Sequence, residues 1–184
     1  MLTKTRATVE DLYNAPDKAE LVNGELVHLM STGSKPNKAG GRVYSSLERH
    51  EDEHGNGVAY TDGAGFLVHL PNRESFSPDA AYYIGPNPGI KFYEGAPVFA
   101  VEARSENDYG PKAELKMAAK RADYFAAGTR VVWDVDTLGE DAVRKYTTDN
   151  PDIPTIFRRG EIADAEPAVP GWTMAVDEMF DEAG

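Results

Sequence analysis

The sequence predicts an α/β fold, a mixed sheet flanked by helices, with a hairpin at its N-terminal end and short strands at its C-terminal end. Three observations lead there. Residues 97–103 and 129–135 are apolar on both faces, as strands buried inside a sheet must be. A helical segment from Lys112 to Ala127 lies between them, the arrangement of a β-α-β crossover. Asn23-Gly24 sits between two short apolar runs, a strong local hairpin signal.

The remaining elements follow in chain order. Thr8 precedes Val9-Glu10-Asp11-Leu12-Tyr13 as an N-cap with an acid three residues on, which predicts a short helix that stops before Pro16. Lys38 to about Glu53 carries Val43, Leu47 and small residues at helical spacing, ending before Gly55-Asn56-Gly57. Strands are expected at Val58–Tyr60 and Gly65–Leu70, the second closed by Pro71-Asn72. Another, Asp79–Ile84, leaves Ser77-Pro78. In the helix after residue 111, Leu115, Ala118, Ala119, Ala122 and Ala126 form the expected apolar stripe, with Lys116, Lys120 and Tyr124 along its flank. Gly128 stands where a C′ glycine belongs. A final helical turn is expected at Val176–Phe180.

Composition bounds the function classes. One domain over residues 1–184 is the expectation at this length. With 41% hydrophobic and 27% charged residues the chain is ordinary globular material. No apolar run is long enough for a membrane helix, and no apolar stretch follows the basic residues of Met1–Glu10 as in a signal peptide. Cysteine is absent, which excludes disulfides and thiolate zinc sites. A cytoplasmic protein without membrane attachment is expected. The net charge of −12 opposes general attraction to nucleic acid, so any contact with DNA must be local or shared between two subunits.

The candidate chemistry centres on carboxylates. Metal-assisted phosphodiester hydrolysis needs acids that hold a hard cation, and a positive group near the water and the phosphate. Asp79 opens one strand and Glu102 ends the next buried one. A carboxylate that closes a run as apolar as Val98–Val101 is costly to bury unless it is paired or metal-bound. Glu102 and Arg104 should share a face of their strand, so Glu102-Ala103-Arg104 reads as an acid-x-base element with arginine in the lysine place. Arginine stays protonated and suits a phosphate contact or a carboxylate pair better than activation of water. Lys120, from the helix that follows, can supply the cation instead.

Pro78-Asp79, Val101-Glu102-Ala103-Arg104-Ser105, Lys120-x-x-x-Tyr124, Ala127-Gly128 and Val132-Trp133-Asp134-Val135-Asp136 together resemble the Uma-two family, restriction-endonuclease-like proteins of the PD-(D/E)XK nuclease superfamily. Glu20-Leu21-Val22-Asn23-Gly24-Glu25-Leu26, Val169-Pro170-Gly171-Trp172 and Phe180 extend the likeness over nearly the whole chain in order. The resemblance implies a restriction-endonuclease-like core, a DNA substrate, Asp79 and Glu102 as ligands of Mg2+ (with Mn2+ as substitute), and Lys120 as a migrated catalytic lysine. Glu20 and Glu25 become candidates for an extra acid from the N-terminal part, and Tyr124 a packing or hydrogen-bonding neighbour of Lys120. The chain departs from the family pattern at Lys35-Pro36-Asn37-Lys38, where a histidine is common, and at Ser105-Glu106-Asn107, where Ser-Pro-Ser is common.

Three functional readings result. The first is a Mg2+-dependent endonuclease acting on DNA, expected as a homodimer because cleavage of two strands favours paired sites. The second is a nuclease-fold protein that binds nucleic acid or a protein partner without cutting, which the acidic charge favours. The third, remote, is a zinc hydrolase through His50, Glu51 and His54, which match H-E-x-x-H. Its context is unfavourable, since Gly55 ends the helix at once and no third ligand is in frame; a solvated helix terminus is the expectation there. Trp133 and Trp172 are expected in the core.

Overall fold

A computed structural model describes residues 5–180, so the domain expected over 1–184 runs past the described residues at both ends. The chain begins with helix α1 (Val9–Tyr13), where Thr8 and Asp11 form the full reciprocal capping box. Strands β1 (Ala19–Val22) and β2 (Glu25–His28) make the expected hairpin. Asn23 and Gly24 turn it with φ of 53° and 73°, the positive values a tight hairpin turn requires at both central positions.

Helix α2 (Ser34–His54) starts four residues earlier than its apolar spacing suggested, with Pro36 tolerated in its first turn. Then come β3 (Val58–Thr61), β4 (Phe66–Leu67), β5 (Ser75–Phe76), β6 (Ala80–Tyr83), β7 (Tyr93–Glu94) and β8 (Phe99–Ala103). The strand expected over Gly65–Leu70 is thus only two residues long, paired with β5 and β7 in a small separate sheet. Helix α3 (Pro111–Ala126) leads to β9 (Val131–Val135), β10 (Val143–Thr147), β11 (Asn150–Phe157), β12 (Ile162–Asp164) and β13 (Thr173–Ala175), and a 3-10 turn over Val176–Met179 closes the described chain.

The principal sheet has six strands in the order β11-β10-β9-β8-β6-β3. Only β8 and β9 run parallel, joined across α3 as the two apolar runs implied, while the other neighbours are antiparallel. Alternation along the strands divides the interior. Phe99, Val101 and Ala103 of β8 join Val131, Trp133 and Val135 of β9 in one cluster with Ala39, Val43 and Leu47 of α2, and Trp172 closes it. Ala100 and Val132 face the other way, toward Tyr124 of α3. Both tryptophans are buried, as expected. This is the mixed α/β sheet flanked by helices that the sequence predicted. No described helix is long and apolar enough to cross a membrane.

Helix α3 is turned from its predicted orientation. Leu115 is 74% exposed, and Ala119, Ala122 and Ala126 also face outward. The inward side is Ala113, Met117, Lys120, Arg121 and Tyr124, with Tyr124 fully buried. The apolar stripe lost because Lys120 finds two carboxylates beneath the helix and Arg121 lies 3.7 Å over the ring of Tyr146. Ion pairing and a cation–π contact outweigh a stripe made mostly of alanine, whose small side chains gain little by burial. The helix ends as expected: Gly128, at φ 106°, donates to the Phe125 carbonyl and Thr129 to that of Tyr124, a Schellman pair.

Candidate active site

The site is assembled where β6 begins and β8 ends. Asp79 stands one residue before β6, its N–H donating to the Val101 carbonyl at 2.9 Å. Its Oδ2 accepts the N–H of Ala103 at 2.7 Å, which fixes the carboxyl against the end of the neighbouring strand. Helix α2 passes close by at Gly40, where a Cβ would stand 3.3 Å from the Asp79 Cβ. A small residue there leaves Asp79 its place.

Glu102 is the last acid of β8 and follows Ala100 on the α3 side of the sheet. Its Oε1 accepts from the Tyr124 hydroxyl at 2.6 Å and from Lys120 Nζ at 2.8 Å. Lys120 is also 3.0 Å from Oε1 of Glu20. The helix lysine therefore reaches the end of the Glu102 strand, and Tyr124 hydrogen-bonds beside it, one helical turn on. Burial disfavours the Lys120 ammonium, but the charges of Glu102 and Glu20 win and raise its pKa above the ordinary lysine value. Tyr124 is pushed well up by burial and by Glu102, so it stays a hydroxyl donor.

Glu20 joins this group but spends both oxygens. Oε1 also accepts the Ser77 N–H at 2.9 Å, and Oε2 takes Arg73 Nη1 at 2.7 Å. Burial alone would raise the Glu20 pKa, yet the cations of Lys120 and Arg73 bring it below the ordinary carboxylate value. Arg73 is held in turn by Asp123 on α3 at 2.8 Å. Glu20 thus braces Lys120. Glu25 is exposed at the turn end of the hairpin, opposite Val22, whereas Glu20 lies toward its other end.

Arg104 is buried between carboxylates. It is 4% exposed and makes two bonds to Asp134, at 2.7 and 2.6 Å, and others to Glu114 of α3. Asp134 pairs in register with Glu102 across the β8–β9 ladder. Of the two roles open to Arg104 in the sequence, carboxylate pairing is the one seen in its hydrogen bonds. Its pKa is raised, first by the bonds to Asp134 and against burial.

Electrostatics single out Asp79. Burial and the nearby charge of Glu102 push its pKa up to about 7, despite the Ala103 N–H and the charges of Lys18 and Lys120. Asp79 is thus weakly compensated where it stands near Glu102, an arrangement whose chemistry suits a divalent cation. Asp79 Oδ1 has only Lys18, at 3.9 Å, and Glu102 Oε2 stands outside the bonds to Lys120 and Tyr124. Among the described residues no group of three or more acids and histidines is arranged to hold a metal.

The histidine motif departs from expectation in one respect. His50 is 7% exposed, its ring stacked on that of His54 at 4.2 Å, so the helix end is not fully solvated there. His54 Nδ1 lies 3.1 Å from the His50 carbonyl, and the Glu51 carboxylate caps Ala59 N–H at 2.7 Å. His54 Nδ1 and the Glu51 carboxylate, two of the groups H-E-x-x-H chemistry would need, are engaged in structure.

Sequence reasoning missed Lys18 and Arg73. Lys18 precedes β1 in a Pro-Asp-Lys turn that reads as solvent, and Arg73 follows a Pro-Asn turn; only the fold brings them to acids more than 40 positions away.

With the geometry in hand, comparison with known proteins is decisive at family level. The model of the Uma2 family, described as "putative restriction endonuclease", matches residues 6–177. The chain belongs to the Uma2 family. Its fold is similar to a crystal structure described as a "putative nuclease belonging to DUF820" from Anabaena variabilis, with a TM-score of 0.73, 15% identity, and coverage of 94% of this chain and 97% of that one. At that identity the likeness establishes the fold, the same mixed sheet flanked by helices. No functionally curated protein matches the chain.

Proposed function

We infer that this Uma2 protein is a divalent-metal-dependent endonuclease that hydrolyses DNA phosphodiester bonds, with Asp79 and Glu102 as ligands of Mg2+ or Mn2+ and Lys120 as the catalytic cation. The observation that supports it most is the convergence of Asp79, Glu102 and Lys120 from three separate elements, with Asp79 held up near neutrality by burial and by Glu102. A bound divalent cation supplies Lewis-acid polarisation of the phosphate and a more acidic water.

The chain's own residues divide the remaining work. Asp79 and Glu102 present the oxygens Oδ1 and Oε2. Lys120, kept protonated by Glu20 and Glu102, contributes fixed positive charge where the phosphate becomes more negative, and orients water without taking its proton. Glu20 and Tyr124 hold that lysine and Glu102 in place, and the Arg104–Asp134–Glu114 cluster fixes the chain just beyond Glu102. The enzyme is proposed to work in the cytoplasm as a homodimer, since an acidic protomer has little surface with which to grip DNA alone.

The acidic charge supports a second reading, a nuclease fold that binds without cutting. Incubation of purified protein with supercoiled plasmid and single-stranded DNA in Mg2+ or Mn2+ separates the two. Nicked or linear products that disappear in EDTA are expected from the nuclease. Intact DNA under all conditions, with retained binding, favours the second reading.

A further inference from the structure

A cleft of about 310 Å³ opens beside Asp79, between the end of α1, the start of β1 and the segments before β4 and after β5. Its lining includes Lys18 and Ser77, and both connect it to the site. Lys18 Nζ is paired with Asp62 and stands 3.9 Å from Asp79 Oδ1, while the Ser77 N–H donates to Glu20, which holds Lys120. The volume is at the lower end of the range typical of small-ligand pockets, about 300–1,000 Å³. That is room for a single nucleotide and too little for a duplex.

One wall is aromatic. Tyr13 and Phe92 stack with centroids 4.3 Å apart and planes 18° from parallel, and Tyr13 is 44% exposed. The Tyr13 hydroxyl accepts the Phe92 N–H at 2.9 Å, which holds the two residues together. Gly65 makes this possible, for a Cβ there would stand 2.9 Å from the Phe92 ring. An exposed ring at the mouth of a cleft next to a phosphodiester site offers a stacking surface to a base removed from its own stack.

The charges fix the other end. Lys18 is the one cation among the described residues that line the cleft; it is a quarter exposed, paired with Asp62 and 3.9 Å from Asp79 Oδ1. Asp17 also lines the cleft, and Asp62 and Asp79 lie beside Lys18, so a phosphate entering here engages Lys18 by displacing it from Asp62. The geometry points to a subsite for an unpaired DNA nucleotide flanking the scissile phosphate, with Lys18 receiving a phosphate and the Tyr13–Phe92 pair seating the base. This rests on the nuclease reading of the adjacent carboxylates and narrows its substrate to single-stranded or locally opened DNA. It also agrees with a net charge of −12, which disfavours a long duplex track across the surface.

The test is fluorescence anisotropy with a labelled single-stranded oligonucleotide of about ten nucleotides, against its duplex, in EDTA so that neither metal nor cleavage intervenes. Single-strand binding by the wild type is expected to be roughly tenfold tighter than duplex binding. Tyr13→Ala should weaken it about tenfold and Tyr13→Phe should restore it, as loss and return of one stacking surface require. Lys18→Gln should weaken it and lower the slope of log affinity against log salt by about 0.7, the signature of one lost phosphate contact on a single strand. Equal binding of single strand and duplex, an unchanged salt slope in Lys18→Gln, or no oligonucleotide binding at all overturns the subsite. The nuclease reading fails separately, only if wild-type protein cuts no DNA in Mg2+ or Mn2+.

Discussion

Replacing Asp79 with Asn is expected to stabilise the metal-free protein while abolishing cleavage. The carboxyl is moved from its ordinary 3.8 to about 7, chiefly by burial and then by the charge of Glu102. At about 1.4 kcal/mol per tenfold change in proton affinity, this sets a ceiling of about 4 kcal/mol on the destabilisation it causes when ionised. Attraction to Lys18 and Lys120 is lost with the charge, and the side chain is partly solvated, so a gain of roughly 1–3 kcal/mol is expected. Asn keeps an oxygen for the Ala103 N–H, so the backbone contact survives.

The pH dependence has a definite sign. Above pH 7 the group is ionised in both folded and unfolded chains, and the destabilisation is full. As pH falls from about 7 toward 3.8 the folded state binds the proton first and the destabilisation fades; below 3.8 it is gone. Thermal unfolding in EDTA should therefore show Asp79→Asn melting roughly 2–10 °C above wild type at pH 8, with the gap closing by pH 4. Mn2+ should raise the wild-type melting temperature and leave that of the variant unchanged. A variant less stable than wild type at pH 8 in EDTA would refute the reasoning, because the carboxylate would then be compensated by the fold.

Further outcomes follow from the same geometry. Glu102→Gln should abolish cleavage, and Lys120→Met should reduce turnover severely while calorimetry still detects Mn2+ binding; Lys116→Met, on the exposed side of α3, should cleave like wild type. Arg104→Met leaves Asp134 buried without its partner and should lower stability by about 3 kcal/mol or more in urea unfolding. Leu115→Gln should change stability by less than about 0.5 kcal/mol, because the side chain is solvated; a larger loss would restore the apolar stripe to the core. Light scattering at micromolar concentration should give a dimer mass, and a monomer unaffected by DNA would count against paired sites.

The strand and helix content was legible because its signals are local: the Asn23-Gly24 turn, the Thr8–Asp11 cap, the apolar runs that became β8 and β9, and Gly128. Asp79, Glu102 and Lys120 were legible as candidates through resemblance and through the oddity of an acid closing an apolar strand. What sequence could not resolve was the rotation of α3, since five small or apolar residues at helical spacing say nothing of carboxylates waiting beneath the opposite face. Glu20 was one of two acids around a turn, and only the burial of Arg73 beside it separates its role from that of Glu25. Lys18 was invisible because its partners, Asp62 and Asp79, come from distant parts of the chain.

Anomalous diffraction from crystals soaked in Mn2+ measures the central assignment most directly. A peak about 2.1 Å from carboxylate oxygens of both Asp79 and Glu102, with Lys120 beside it and unliganded, is the predicted result. No peak at this pair, or manganese bound instead at His50 and His54, would contradict it.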